Sequence, residues 1–203
     1  MKFKNIIGVI KDAINAHVWG VSRMMEALGG KEITLEELQR NWEQPYMNFW
    51  KKYYPNLTLQ EEQKLYYSTI LRKDCPKSVD YPGIADLIKE LKIKGISMVV
   101  LSSDAPETLL PEMKEYDLEN IFREVITKVH DKADSIEGLI SQNNFKKEET
   151  VFIGDSNHEV EVGKRAGIKT IAVTWGFCTE EKLKSTHPDY LVHNIKELKD
   201  ILL

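Results

Sequence analysis

Val151-Phe-Ile-Gly-Asp-Ser-Asn-His-Glu-Val-Glu-Val-Gly-Lys-Arg-Ala-Gly167, followed closely by Thr170-Ile-Ala-Val-Thr174, is the stretch on which the fold turns. Two short β-branched runs flank a segment that opens on small and acidic residues and closes on glycine, the order of strand, helix, strand. The same rhythm extends outward from it. Ile96–Ser102, Glu124–Thr127 and Tyr190–Val192 read as further strands, and Lys2–Ile7 is one more candidate at the start. The helices between them have recognisable ends. Pro82-Gly83 opens one and Gly95 closes it as a left-handed cap, Pro106 suits a first turn, Gly167 closes another, and Asn194 with Glu197 matches a capping box. The implied class is α/β: a Rossmann-like parallel sheet core with crossover helices.

Between Ala13 and Asp80 the β-branched runs vanish and the periodicity is helical throughout. Ile14, Val18, Val21, Met25 and Leu28 make one apolar stripe that stops at Gly29-Gly30. Thr34 with Glu37, and Thr58 with Glu61, fit the Ser/Thr-x-x-Glu pattern that starts a helix. The aromatic residues Trp42, Tyr46, Phe49, Trp50, Tyr53 and Tyr54 are expected to pack inside a small bundle rather than to line a ligand pocket. The expected organisation is therefore an α/β core made of residues 1–13 and 82–203, with residues 14–81 inserted as a helical cap.

Composition narrows the function classes. The 203 residues are 42% hydrophobic and 30% charged, and no apolar run approaches the roughly 20 residues that cross a bilayer. With 28 basic against 32 acidic residues the net charge is −4, so no electrostatic case exists for a nucleic-acid partner. The start of the chain has no apolar h-region or cleavage site, which points to a cytoplasmic protein. Cys75 and Cys178 lie far apart without metal-ligand spacing and read as ordinary reduced thiols.

Ligands of an open parallel sheet bind at the carboxyl ends of its strands, so the residues just after each strand are the candidates. Ser102, ahead of a helix that starts at Pro106, offers a hydroxyl near backbone amides to a phosphate oxygen; serine also ends strands for local hydrogen-bonding reasons. Asp155 and Glu159, four apart in a first helical turn, are paired carboxylates able to hold Mg²⁺; acids also favour that position electrostatically. Lys132 follows the strand Glu124–Thr127 and offers a positive charge to a phosphate. His158 has no histidine partner and reads as exposed or hydrogen-bonded, not as a ligand.

In this order the residues resemble the haloacid dehalogenase superfamily, in its phosphoglycolate-phosphatase-like branch with a helical cap. Ser102 falls at the motif II hydroxyl, Lys132 at the motif III lysine, and Gly154-Asp155-Ser156-Asn-His-Glu159 with Gly163 to Gly167 looks like motif IV, with Glu159 where the family usually has aspartate. Trp175-Gly176-Phe177 and Asp189-Tyr190-Leu-Val192 also resemble its C-terminal section. The resemblance implies a Mg²⁺-dependent phosphatase of a small phosphorylated metabolite, with catalytic Ser102 and Lys132 and metal ligands Asp155 and Glu159.

The chain departs from the family at its front. The family ends its first strand on Asp-x-Asp-Gly, whose first aspartate attacks phosphorus and whose second is the general acid and base. Here Gly8 and Asp12 match the later part of that motif, and a short segment holding both carboxylates is absent between Ile7 and Gly8. A gapless register puts Val9 and Lys11 at the aspartate positions, which serves the chemistry no better. Turnover is therefore expected to be impaired and Mg²⁺ affinity reduced, with Asp12 the residue to test as a substitute nucleophile. The alternative is a noncatalytic anion-binding or interaction protein on the same fold.

Overall fold

The computed structural model describes residues 3–8 and 11–203. Its strands are β1 (Asn5–Gly8), β2 (Lys11–Asp12), β3 (Val79–Asp80), β4 (Ser97–Leu101), β5 (Glu124–Ile126), β6 (Thr150–Gly154), β7 (Lys169–Val173) and β8 (Tyr190–Val192). Six of them form one parallel sheet in the order β5-β4-β1-β6-β7-β8, and β2 pairs with β3. The near-continuous apolar runs Met98–Leu101, Val151–Ile153 and Ile171–Val173 are buried throughout, as strands covered on both faces must be. Side chains alternate between two layers. Met98, Val100, Val151 and Ile153 pack with Ile84, Leu87, Leu91, Leu109 and Leu198 on one face. Val99, Leu101 and Phe152 pack with Ile136, Leu139, Val162 and Ala166 on the other.

The helices are α1 (Ile14–Ala27), α2 (Leu35–Asn41), α3 (Met47–Tyr53), α4 (Leu59–Ile70), α5 (Ile84–Ile93), α6 (Pro106–Glu115), α7 (Lys132–Gln142), α8 (Asn157–Arg165), α9 (Glu180–Ser185) and α10 (Ile195–Leu202). Their ends obey local signals. Gly83, Gly95 and Gly167 have positive φ, Pro106 sits in the first turn of α6, and Asn194 accepts the Glu197 N–H at 2.9 Å. Among the described residues no helix is long and apolar enough to cross a membrane.

The chain divides into two units, residues 1–10 with 80–203 and residues 11–79. The second is helical. Thr34 accepts the Glu37 N–H at 3.1 Å to cap α2, and Thr58 with Glu61 completes a reciprocal capping box on α4. Trp42, Phe49 and Trp50 are buried, with ring centroids 5.0 Å apart for Trp42–Phe49 and 5.3 Å for Phe49–Trp50. The aromatic set expected to fill the bundle divides here. Tyr53 and Tyr54 are half-buried and border a cleft of about 680 Å³ with Leu28, Leu57, Lys64 and Leu65. A tyrosine hydroxyl needs a polar outlet, and the rim supplies one: Tyr53 bonds Asn41 and Glu37, and Tyr54 donates to the Met25 carbonyl.

Chain order sets the place of a site in the first unit. After β1 the core strands continue to β4 and β5 on one side, then return to β6 beside β1 and run outward through β7 and β8. Connections leaving β1 and β6 therefore diverge, and a crevice opens beyond the carboxyl ends of these two strands. Gly8 lies opposite Val100 and Ile7 opposite Phe152, so the last described residue of β1 is two positions short of Ser102. Ile7 and Gly8, between which the carboxylate segment is expected to be missing, are consecutive residues of β1, whereas Val9, Ile10 and the side chain of Asp12, the expected substitute nucleophile, lie outside the described residues.

Candidate active site

The turn from β6 into α8 is built around Glu159. Ser156 is the N-cap of α8 and Glu159 its third residue, and they form a reciprocal capping box. Glu159 Oε2 accepts the Asp155 N–H at 2.9 Å, the Ser156 N–H at 3.1 Å and the Ser156 hydroxyl at 3.1 Å. The fold-back is possible because residue 154 is glycine: a Cβ there would collide with the Glu159 carboxylate. Ser156-Asn-His-Glu159 is the same Ser/Thr-x-x-Glu pattern that marks α2 and α4, so the capping role of Glu159 is legible in the sequence beside its expected role as a metal ligand.

Lys132 reaches the same carboxylate from the neighbouring helix. Asp131 caps α7 by accepting the Ala133 N–H at 2.9 Å, which makes Lys132 the first residue of the helix. Its Nζ pairs with Glu159 Oε1, and the two side chains are 8% and 3% exposed. Burial disfavours the Glu159 charge, but the Lys132 ammonium and the hydrogen bonds from Ser156 hold its carboxyl below the usual range. Of the three ammonium donors one goes to Glu159, leaving two for an anion.

Asp155 stands between this pair and the loop after β7. Its Oδ2 accepts the Phe177 N–H at 2.9 Å and its carbonyl accepts the Cys178 N–H at 3.0 Å. Gly176 lies against it so closely that a Cβ would overlap the Asp155 side chain. Burial first, and the charge of Glu159 second, push the Asp155 carboxyl up to about 6. A carboxylate whose charge is costly where it stands, with Oδ1 outside the Phe177 bond, suits a hard divalent cation. Glu159 presents a different case from the one expected, because both its oxygens are engaged by protein donors. Among the described residues no cluster of three His, Cys, Asp or Glu side chains forms a closed metal cage.

Ser102 follows β4. Its hydroxyl donates to Asp104 Oδ2 at 3.1 Å and accepts the Asp104 N–H at 3.1 Å, the local bonding that serine favours at a strand end. Its backbone binds the segment leading to α7: the Ser102 N–H donates to the Ile126 carbonyl, and the Ser102 carbonyl accepts the Val129 N–H at 3.1 Å. Lys132, Asp155 and Glu159 thus form one hydrogen-bonded group, whereas Ser102 joins it only through backbone at the level of Val129. His158 is buried and lies 3.0 Å from Asp131 Oδ1, a partner 27 residues away that no local spacing announces. Cys75 and Cys178 are thiols outside any disulfide, and burial pushes that of Cys178 up to about 11, far from a nucleophile's range.

Known proteins resemble this chain in sequence and in fold. The pyrophosphatase PpaX of Halalkalibacterium halodurans is 27% identical over 127 residues, 60% of this chain and 59% of that protein. A phosphoglycolate phosphatase of Synechococcus elongatus is 26% identical over 128 residues, 62% of this chain and 60% of its own length. The matched stretch therefore spans about three fifths of these curated relatives. A crystal structure of a predicted phosphatase from Clostridium acetobutylicum shares the fold over 100% of this chain and 99% of that one, with a TM-score of 0.85 at 21% identity. The sequence model for the haloacid dehalogenase-like hydrolase matches residues 8–173, from the last residue of β1 through all of β7, so that β4 to β7, the helical unit and the Asp155–Glu159 turn fall within one match. The chain belongs to the haloacid dehalogenase-like hydrolase family.

Proposed function

We propose that the chain binds the phosphoryl group of a small phosphorylated metabolite at the carboxyl ends of β4 and β6, as a Mg²⁺-dependent phosphatase core whose turnover is impaired by the missing motif I carboxylates. The buried Lys132–Glu159 pair beside Asp155 carries this reading. An ion pair taken out of water costs desolvation and is weak evidence for stability, so its place beyond two strand ends is better explained by use. Lys132 offers donors to a phosphoryl oxygen, and the Ser102 hydroxyl turns from Asp104 to supply another. Asp155 would hold the cation, and Glu159 orients Lys132 and closes the β6–α8 turn. A bound Mg²⁺ would neutralise charge on the phosphoryl oxygens. By the family resemblance, residues 14–81 would serve as the part of the chain that selects the substrate.

Covalent transfer needs an acceptor carboxylate and a second group to move the proton, and neither is supplied by Ser102 or Lys132. Binding without hydrolysis is the expected behaviour. The test compares the chain with a variant carrying Phe-Asp-Trp-Asp between Ile7 and Gly8, assayed on an aryl phosphate and on small phosphorylated acids and sugars with Mg²⁺. Activity in the inserted variant alone supports the reading. Activity in the parent chain that is lost in Asp155→Asn overturns it and makes Asp12 the first residue to examine. Inactivity of a folded inserted variant favours the noncatalytic anion-binding protein, the second reading, which the absent carboxylates themselves suggest.

A further inference from the structure

Two polar links, not one, join the first turns of α7 and α8. Beside Lys132–Glu159 runs a contact between the residues just before them, His158 Nε2 to Asp131 Oδ1 at 3.0 Å. Both links connect residues 27 apart, so they stand as two rungs one residue from each other. His158 is 7% exposed. Asp131 Oδ1 already accepts the Ala133 N–H, so it is the acceptor in both contacts and Nε2 carries the proton. A single carboxylate oxygen therefore caps α7 and ties that cap to the second residue of α8. Capping alone does not call for this arrangement, because serine caps a helix as well as aspartate does. Packing alone does not either, because an apolar ring fills a buried position without the cost of a buried imidazole.

We infer that Asp131 and His158 are positioning residues for Lys132. Lysine is a compact charge on a flexible four-carbon stem, so its ammonium keeps one place only when the backbone at its root is fixed. The Asp131–His158 rung fixes it: the first turn of α7 is prevented from sliding against α8, and Nζ stays on Glu159 with its remaining donors available. The inference rests on the proposed reading of Lys132 as an anion ligand and extends it to two residues outside the strand-end set.

The probe is inorganic phosphate, titrated calorimetrically into the full chain with Mg²⁺ well below the melting temperature, and thermal melting is recorded for each variant. His158→Phe keeps the buried volume and removes the donor. Asp131→Ser keeps the cap and removes the tie. Each is expected to weaken phosphate binding about fivefold, the usual size of coupling between neighbouring polar groups. His158→Gln, whose amide reaches the position of Nε2, restores it. In a Lys132→Met/Glu159→Gln background, which removes the ammonium without leaving a bare buried carboxylate, His158→Phe has no further effect. Native phosphate affinity in folded His158→Phe and Asp131→Ser, with only a lower melting temperature, overturns the inference and leaves the site reading standing. Equal phosphate affinity of the native chain and the Lys132→Met/Glu159→Gln double variant overturns the site reading, and the inference with it. Should His158→Phe not fold, Asp131→Ser and His158→Gln decide the matter.

Discussion

Glu62 on α4 is 4% exposed, inside the helical unit. Burial pushes its carboxyl up from 4.5 to about 7, with the buried Trp50 side chain as the hydrogen-bond partner that works the other way. Tyr46, which burial raises to about 12, feels the same carboxylate. In the unfolded chain Glu62 titrates near its ordinary value. Below pH 4.5 both states are protonated and the folded state keeps its full stability. As pH rises toward 7 the unfolded chain gives up a proton that the folded chain retains, so stability falls across that window and the decline ends above it. The difference between 4.5 and about 7, at about 1.4 kcal/mol for each pH unit, comes to roughly 3 kcal/mol. Glu62→Gln removes this dependence: the variant should match the native chain near pH 4.5 and exceed it by up to about 3 kcal/mol at pH 8. Urea unfolding followed by tryptophan fluorescence reads this directly, because Trp19, Trp42 and Trp50, three of the four tryptophans, lie in the helical unit. Parallel stability–pH curves for the two proteins, or a native curve that climbs relative to the variant between pH 5 and 7, would refute the burial argument.

Two further outcomes follow from the site. Lys132→Met strands the Glu159 charge, which is 3% exposed, and should cost about 3–5 kcal/mol in denaturant unfolding, whereas Lys132→Met/Glu159→Gln recovers most of it; equal losses in both variants would mean that the pair is not electrostatically coupled. Gly176→Ala drives a methyl group into Asp155 and should weaken Mg²⁺ binding, read by calorimetry, more than it lowers the melting temperature. Native Mg²⁺ affinity in that variant would remove Asp155 from the cation site.

Most elements of the sheet core, and several helix ends, were legible in local sequence, whereas the short pair β2 and β3 was not. Thr34, Thr58 and Asn194 start helices because a cap is made within three residues of itself, and Gly95 and Gly167 stop them because left-handed backbone favours glycine. Apolar runs near residues 98–101, 151–153 and 171–173 named the strands for the same local reason. The strand ends then located Ser102, Lys132 and Asp155 as candidates, since chemistry in a parallel sheet gathers there. Only the tertiary structure decided what these residues touch. Glu159 satisfies local donors with one oxygen, but its other oxygen meets Lys132 only once α7 and α8 pack on the same face of the sheet. His158 finds Asp131, and Glu62 loses its water, through folding over distances no spacing rule spans. The reason is physical: capping and turn signals act within a few residues, whereas ion pairing and burial depend on which segments far apart in the chain come to share one dry space.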